Sequence, residues 1–254
     1  MSSERFLFTA VFDTNAAERV RAVFAYSLQT RRVIVVGYAN DTIDQFDTDS
    51  TLITPQFIGM GSDGQIALES IKCPEGAYNK IHLMTLNGDG TAKKIYNWTR
   101  KRINSVWNYG WVDADDSTTF PAEGVTFEPG QAFWLQNDSS EDAGNTFQTS
   151  GQVNTKDVEF LLAYDTDSVI CGNSTPVSTD LQDFLCPQTA YNKIHLMILN
   201  GDGTAKKIYN WTRKRINSVW NYGWVDADDS TTFPAEGVMF KAGQAFWVQN
   251  DGAE

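Results

Sequence analysis

Apolar and polar residues alternate with a period of two through most of this chain, the spacing of strands rather than helices. In "KIHLMILN", Ile194, Leu196 and Ile198 share one face and His195, Met197 and Leu199 the other. Both faces are largely apolar, which predicts a strand covered on two sides. "NGDG" follows at Asn87 and again at Asn200, and Asn-Gly tolerates the positive φ of a tight hairpin turn. "KKIYNWTR" then alternates Ile95, Asn97 and Thr99 with Tyr96 and Trp98, and "INSVWNYGWV" sets Ile103, Ser105, Trp107, Tyr109 and Trp111 on one face. In "GVTFEPGQAFWLQN", Pro129-Gly130 marks a turn between two short strands. Strands this short, roughly ten residues apart and separated by turn signals, predict an all-β fold of small sandwiches or barrels.

The first residues read differently. "NAAERVRAVFAYSL" offers Asn15 as an N-cap and Glu18 as its capping-box partner, with Val20, Val23 and Phe24 on one helical stripe, so a helix is expected over 15–28. "RRVIVVGY" returns to strand character at Val33. Residues 1–34 thus form an extension of strand and helix. Its "RFLFTAVF" has the β-character needed to add a strand to a neighbour's open edge.

The segment "KIYNWTRKRINSVWNYGW" begins at Lys94 and recurs, letter for letter, from Lys207. Aligning Ala77 with Ala190 gives an offset of 190 − 77 = 113 that holds through Asp138 and Asp251. Only Thr85/Ile198, Thr126/Met239, Glu128/Lys241, Pro129/Ala242 and Leu135/Val248 differ. A period of this length fits a duplicated domain rather than a solenoid unit. Upstream, "TDSTLITPQFIGMGSDGQIALESIKC" corresponds to "TDSVICGNSTPVSTDLQDFLC" with about five extra residues in the first. The expected order is an extension at 1–34, a β-domain at 35–138, a polar linker at 139–150 and a second β-domain at 151–254.

Composition narrows the function classes. A net charge of −12 argues against general affinity for nucleic acid or anionic membranes. Residues 77–124 and 190–237 each hold six Lys/Arg and five Asp/Glu, so the repeats are nearly neutral and the remainder is acidic. No run is long and apolar enough for a membrane helix, and Phe6 to Phe12, closed by Asp13, makes a poor secretory signal. Cys73 and Cys186 are equivalent and Cys171 is extra. A Cys171 to Cys186 bridge and buried free thiols both remain open.

Catalytic signals are absent from the sequence. His82 and His195 sit within "KIHLM", among strand neighbours that offer neither acid nor nucleophile. No P-loop, nucleophile elbow, dinucleotide fingerprint or HExxH occurs. "DADDS" places Asp113 and Asp115, and later Asp226 and Asp228, at a spacing that suits calcium, although Thr118 and Gly124 stand where an EF-hand wants Gly and Glu. The aromatics are the more prominent candidates. Trp98, Trp107, Tyr109 and Trp111, with Trp211, Trp220, Tyr222 and Trp224, either pack a core or present rings to sugars or to another subunit.

Certain motifs carry a resemblance. "VVGYANDTI", with Gly37, Tyr38, Asn40 and Thr42, then Gly110-Trp111, then "PGQAFWLQN" with Pro129, Gly130, Phe133, Trp134, Gln136 and Asn137, resemble a group of secreted bacterial all-β repeat proteins without a characterised function. The resemblance covers nearly everything after Val35. It implies an exported, non-enzymatic protein. Two functions are therefore expected: an extracellular assembly protein that self-associates through its tandem domains into fibres or arrays, or a carbohydrate-binding surface protein using duplicated Trp/Tyr faces.

Overall fold

The computed structural model describes residues 7–14, 18–27, 32–43, 46–61, 63–87, 91–138, 145–155, 157–160, 168–200 and 204–252. The fold is all-β. The N-terminal strands are β1 (Leu7–Thr14), β2 (Glu18–Ser27) and β3 (Arg32–Ile43). The first domain follows with β4 (Phe46–Ile53), β5 (Ile66–Ala67), β6 (Ile81–Leu86), β7 (Ala92–Ile103), β8 (Val106–Asp113), β9 (Thr126–Phe127) and β10 (Phe133–Asn137). After β11 (Asn145–Gln152), the second domain repeats the series. It comprises β12 (Ser168–Gly172), β13 (Thr179–Asp180), β14 (Ile194–Leu199), β15 (Ala205–Ile216), β16 (Val219–Asp226), β17 (Met239–Phe240) and β18 (Ala245–Asn250).

Each domain is a five-stranded antiparallel sheet, in the order β4-β10-β6-β7-β8 and β12-β18-β14-β15-β16, with a short ribbon, β5-β9 or β13-β17. The central position of β6 accounts for its two apolar faces. Ile81, Leu83 and Thr85 are buried on the core side, and His82, Met84 and Leu86 are half-covered on the other. Asn87 and Thr91 close the β6–β7 hairpin through N–H to O at 2.9 Å. The β7–β8 turn lies at Asn104 and Ser105, both at positive φ, as a two-residue hairpin turn of the I′ kind requires. Ile103 therefore ends β7 and does not share a strand with Trp107.

The helix expected over 15–28 is not formed. Residues Glu18–Ser27 are strand, paired with both β1 and β3, and Asn15 lies outside the described residues. Val20, Val23, Phe24 and Tyr26 have high strand propensity, and a ladder on each side outweighs a capping signal worth about 1 kcal/mol. The 139–150 segment is also more than a linker. From Asn145 it is strand β11, which pairs with β3 to complete a sheet in the order β1-β2-β3-β11. That sheet reaches Ile43, so the extension drawn at 1–34 ends inside β3.

The other edge of β11 is sewn to the first domain. Lys72 and Gln148 exchange both main-chain hydrogen bonds, at 2.8 and 2.6 Å, and Ile58 and Gln152 do the same at 2.9 Å. Phe147 is thereby fully buried among Ile71, Phe127 and Phe133, with its ring edge-on to Phe133 at 6.4 Å. In the second domain Phe184 stands at the position of Ile71 and packs on Phe240 and Phe246 at 5.2 and 4.9 Å. One domain fills its core with a ring from β11, the other with a ring of its own.

The domains meet in a pseudo-two-fold contact. Ile53 bridges Gln244, while Gln131, the counterpart of Gln244, bridges Cys171, the counterpart of Ile53. Thr54 N–H donates to Gly243 O at 2.9 Å and Gly172 N–H to Gly130 O at 3.1 Å. This reciprocity is what an isologous dimer interface shows between separate chains. Ala132, Ile170 and Ala245 are buried there, with Leu52, Leu86 and Trp247 packed against them. Gly172 permits the approach, since a Cβ would stand 2.3 Å from Thr54 Oγ1 and 2.6 Å from Gln244 O.

Phe147→Ala should destabilise the first domain by about 3–5 kcal/mol, the usual cost of truncating a buried Phe. Calorimetry should then resolve two transitions, the lower belonging to that domain and the upper unmoved. Gly172→Val should separate the two lobes in solution scattering while each stays folded by circular dichroism.

Candidate interaction surfaces

The aromatic residues of the β7–β8 hairpin divide into two groups along its length. Trp98 and Trp111 face one another across the strands and are buried, with ring centroids 5.3 Å apart and planes at 63°. Their indole N–H groups donate to Pro74 O at 3.0 Å and Ile71 O at 2.8 Å, so both polar handles are satisfied within the core. Trp211 and Trp224 repeat the arrangement, donating to Pro187 O and Phe184 O. These four indoles are core, which corrects their inclusion among candidate stacking residues. Tyr109 and Tyr222 are half-buried against the same cores.

Farther toward the turn the sheet has outrun the core. Trp107 is 47% exposed and Val106 63%. The Arg100 guanidinium lies between the rings of Tyr78 and Trp107, at 3.8 and 4.4 Å from their centroids, and Arg102 stands 5.9 Å from Trp107. The second domain reproduces this with Arg213 between Tyr191 and Trp220 at 3.7 and 4.4 Å. Cation–π contacts of this kind, each worth about 0.5–1 kcal/mol at the surface, hold Trp107 and Trp220 in a fixed, outward pose. Tyr78 was the partner that sequence reasoning missed, because it arrives from the turn before β6.

The "DADDS" carboxylates are committed to internal partners. Lys94 Nζ lies 2.7 Å from Asp113 Oδ2 and 2.9 Å from Asp115 Oδ2. Asp113 Oδ1 accepts the Asp115 N–H, and Asp116 accepts from Thr118 and Thr119. Lys207 takes the same place between Asp226 and Asp228 at 2.7 and 2.9 Å. An ammonium group thus stands at the D-x-D pair where calcium was considered. Its hydrogen bond holds the Asp113 carboxyl below its ordinary value.

His82 has a carboxylate neighbour after all. Its Nε2 is 3.1 Å from Asp138 Oδ2 and its Nδ1 2.6 Å from Asn97 Oδ1, because Asp138 follows β10, the strand paired with β6. His195 meets Asp251 and Asn210 likewise. Among the described residues no Ser, Thr or Cys side chain is hydrogen-bonded to either imidazole, and the contacts fasten one strand end to the next. The three cysteines are free thiols, so Cys171 and Cys186 are not bridged. Burial pushes the Cys186 thiol up to about 12.

One surface differs between domains that are otherwise alike. In the first domain, where β11 is present, Ile71, Cys73 and Ala77 are 0%, 8% and 1% exposed. Their counterparts Phe184, Cys186 and Ala190 are only partly buried, and Leu185, at the place of Lys72, is 80% exposed. Among the described residues no main-chain hydrogen bond reaches Leu185. The five extra residues fall between Thr54 and Ile66, for the offset is 118 at Ile53/Cys171 and 113 at Ile66/Thr179. They supply Ile58 and Gly59, whose main chains hold Gln152. No family model, curated protein or solved structure matches the chain.

The double substitution Trp107→Ala, Trp220→Ala should leave the melting transition within about 1 kcal/mol of wild type, whereas Trp98→Ala alone should cost about 3–5 kcal/mol. Denaturant titration of both checks this. The lowered Asp113 and Asp226 carboxyls add stability that is fully present above the ordinary carboxylate value of 3.8 and is lost as pH falls through their folded values. Asp113→Asn with Asp226→Asn should therefore flatten the acid limb of a melting-temperature profile below about pH 4.

Proposed function

We propose that this chain is a non-enzymatic structural subunit that self-associates through its tandem β-domains, by strand addition, into fibres or arrays at the cell exterior. One observation carries the reading. Among the described residues, nothing in the second domain takes the place that β11 holds on the first; Leu185 is exposed there and the underlying side chains are half-covered. An uncovered sheet-like edge beside apolar side chains is a template for another strand. The resemblance to secreted bacterial repeat proteins favours the exterior, and the acidic balance keeps free chains apart until specific edges meet.

Binding of polysaccharide is the second reading, favoured by the outward indoles of Trp107 and Trp220 with arginines stacked behind them. A pyranose ring would lie on the free indole face, and two sites on one chain would gain avidity on a polymer.

Sedimentation velocity over a wide concentration range, with electron microscopy of the same samples, separates the two. Concentration-dependent growth into regular polymers is expected. Monomers at every concentration, together with retention on a polysaccharide column that Trp107→Ala, Trp220→Ala abolishes, would replace assembly with glycan binding.

A further inference from the structure

The assembly reading leaves the incoming strand unnamed, and the inference here rests on that reading. We propose that the edge around Leu185 receives strand β1 of a second copy, so that the chain polymerises head to tail.

The acceptor is already shaped. Phe184 has φ −83 and ψ 100, and Ile71, its counterpart beside β11, has φ −88 and ψ 118. The backbone that binds a strand in the first domain is thus held in the same extended form in the second, although nothing described lies on it. Phe184 packs edge-on to Phe246, as Phe147 packs edge-on to its counterpart Phe133 in the first domain. An incoming strand therefore need not bring an aromatic ring; main-chain bonds to Leu185 and cover for Phe184, Cys186 and Ala190 suffice.

The donor follows from sheet order. In β1-β2-β3-β11, strand β11 faces the edge of its own first domain, and β1 is the opposite edge, paired only with β2 among the described residues. Edge strands in soluble proteins are commonly guarded by Lys, Pro or a bulge. "LFTAVFDT" contains no Lys or Pro, and its register with β2 runs unbroken from Leu7↔Ala25 to Thr14↔Glu18. One side of this sheet is already laid against a domain edge. The other side likewise ends in an edge strand, and the second domain carries the counterpart of the edge that β11 meets.

Joining β1 of one copy to the second domain of the next is heterologous, because donor and acceptor are different patches, and such contacts propagate unless a ring closes. The joint is weaker than its counterpart within the chain. The second domain lacks the inserted residues that give β11 its second anchor at Ile58 and Gly59, so growth depends on concentration and reverses on dilution.

Two full-length variants test this. Leu185→Pro removes the main-chain N–H that the receiving edge would donate, and Val11→Pro interrupts the incoming strand; each alone should stay monomeric where wild type polymerises. Mixed, one supplies only a donor and the other only an acceptor, so dimers should form and growth should stop there. As a check independent of how well either variant folds, the Leu185 amide in wild type should exchange at least about tenfold more slowly as polymers form. Polymers from either variant alone, or no added protection at Leu185, would overturn the assignment while leaving self-association standing. A wild type that never leaves the monomer would instead remove the assembly reading itself.

Discussion

The Trp98–Trp111 pair, repeated as Trp211–Trp224, is the contact on which each domain depends. Two indoles set opposite one another on adjacent strands bury a large apolar surface, and their N–H groups reach in one direction, to the carbonyls of Ile71 and Pro74. Those bonds fix the irregular chain between β5 and β6 over the sheet, where it supplies Leu68, Ile71 and Ala77 to the core. A buried indole left without an acceptor would cost a desolvated donor, so the loop and the sheet are held in one relative position. The extended backbone at Ile71 and at Phe184 follows from this anchor.

Duplication gave the chain two copies of that arrangement and two kinds of contact between repeats. Where the copies meet, they do so reciprocally, as two chains would, with Gly172 clearing room for Thr54. Where their surfaces differ most, the cause lies outside the nearly identical block. An insertion before β5 and the arrival of β11 cover an edge in the first domain whose counterpart in the second is met by no main-chain hydrogen bond at Leu185 among the described residues. Closely similar cores therefore carry unlike surfaces, and the asymmetry gives the chain two distinguishable ends.

Much of the fold was legible from local pattern. Period-two alternation, the Asn-Gly turns and the Pro129-Gly130 turn located most strands, and the repeat defined the domains' common outline. Two readings failed for one reason: Glu18–Ser27 and Asn145–Gln152 owe their structure to partners far away in sequence. A short amphipathic run fits a helix until strands stand on both sides of it, and a polar Gly/Ser/Asp segment resembles a tether until Phe147 finds a core. The site residues divided similarly, since Trp98 and Trp107 are alike in sequence and opposite in burial.

The sequence by itself determined the all-β character, the tandem repeat, the hairpin turns and the near-neutral charge of each copy, because all of these depend on neighbours a few residues away or on the alignment of one copy with the other. Tertiary structure alone decided which tryptophans are core, that Lys94 stands between two aspartates, that β11 lies against the first domain, and that Leu185 is exposed. Each of those depends on where the sheet ends relative to the core and on main-chain pairing between segments distant in sequence, which side-chain periodicity does not encode.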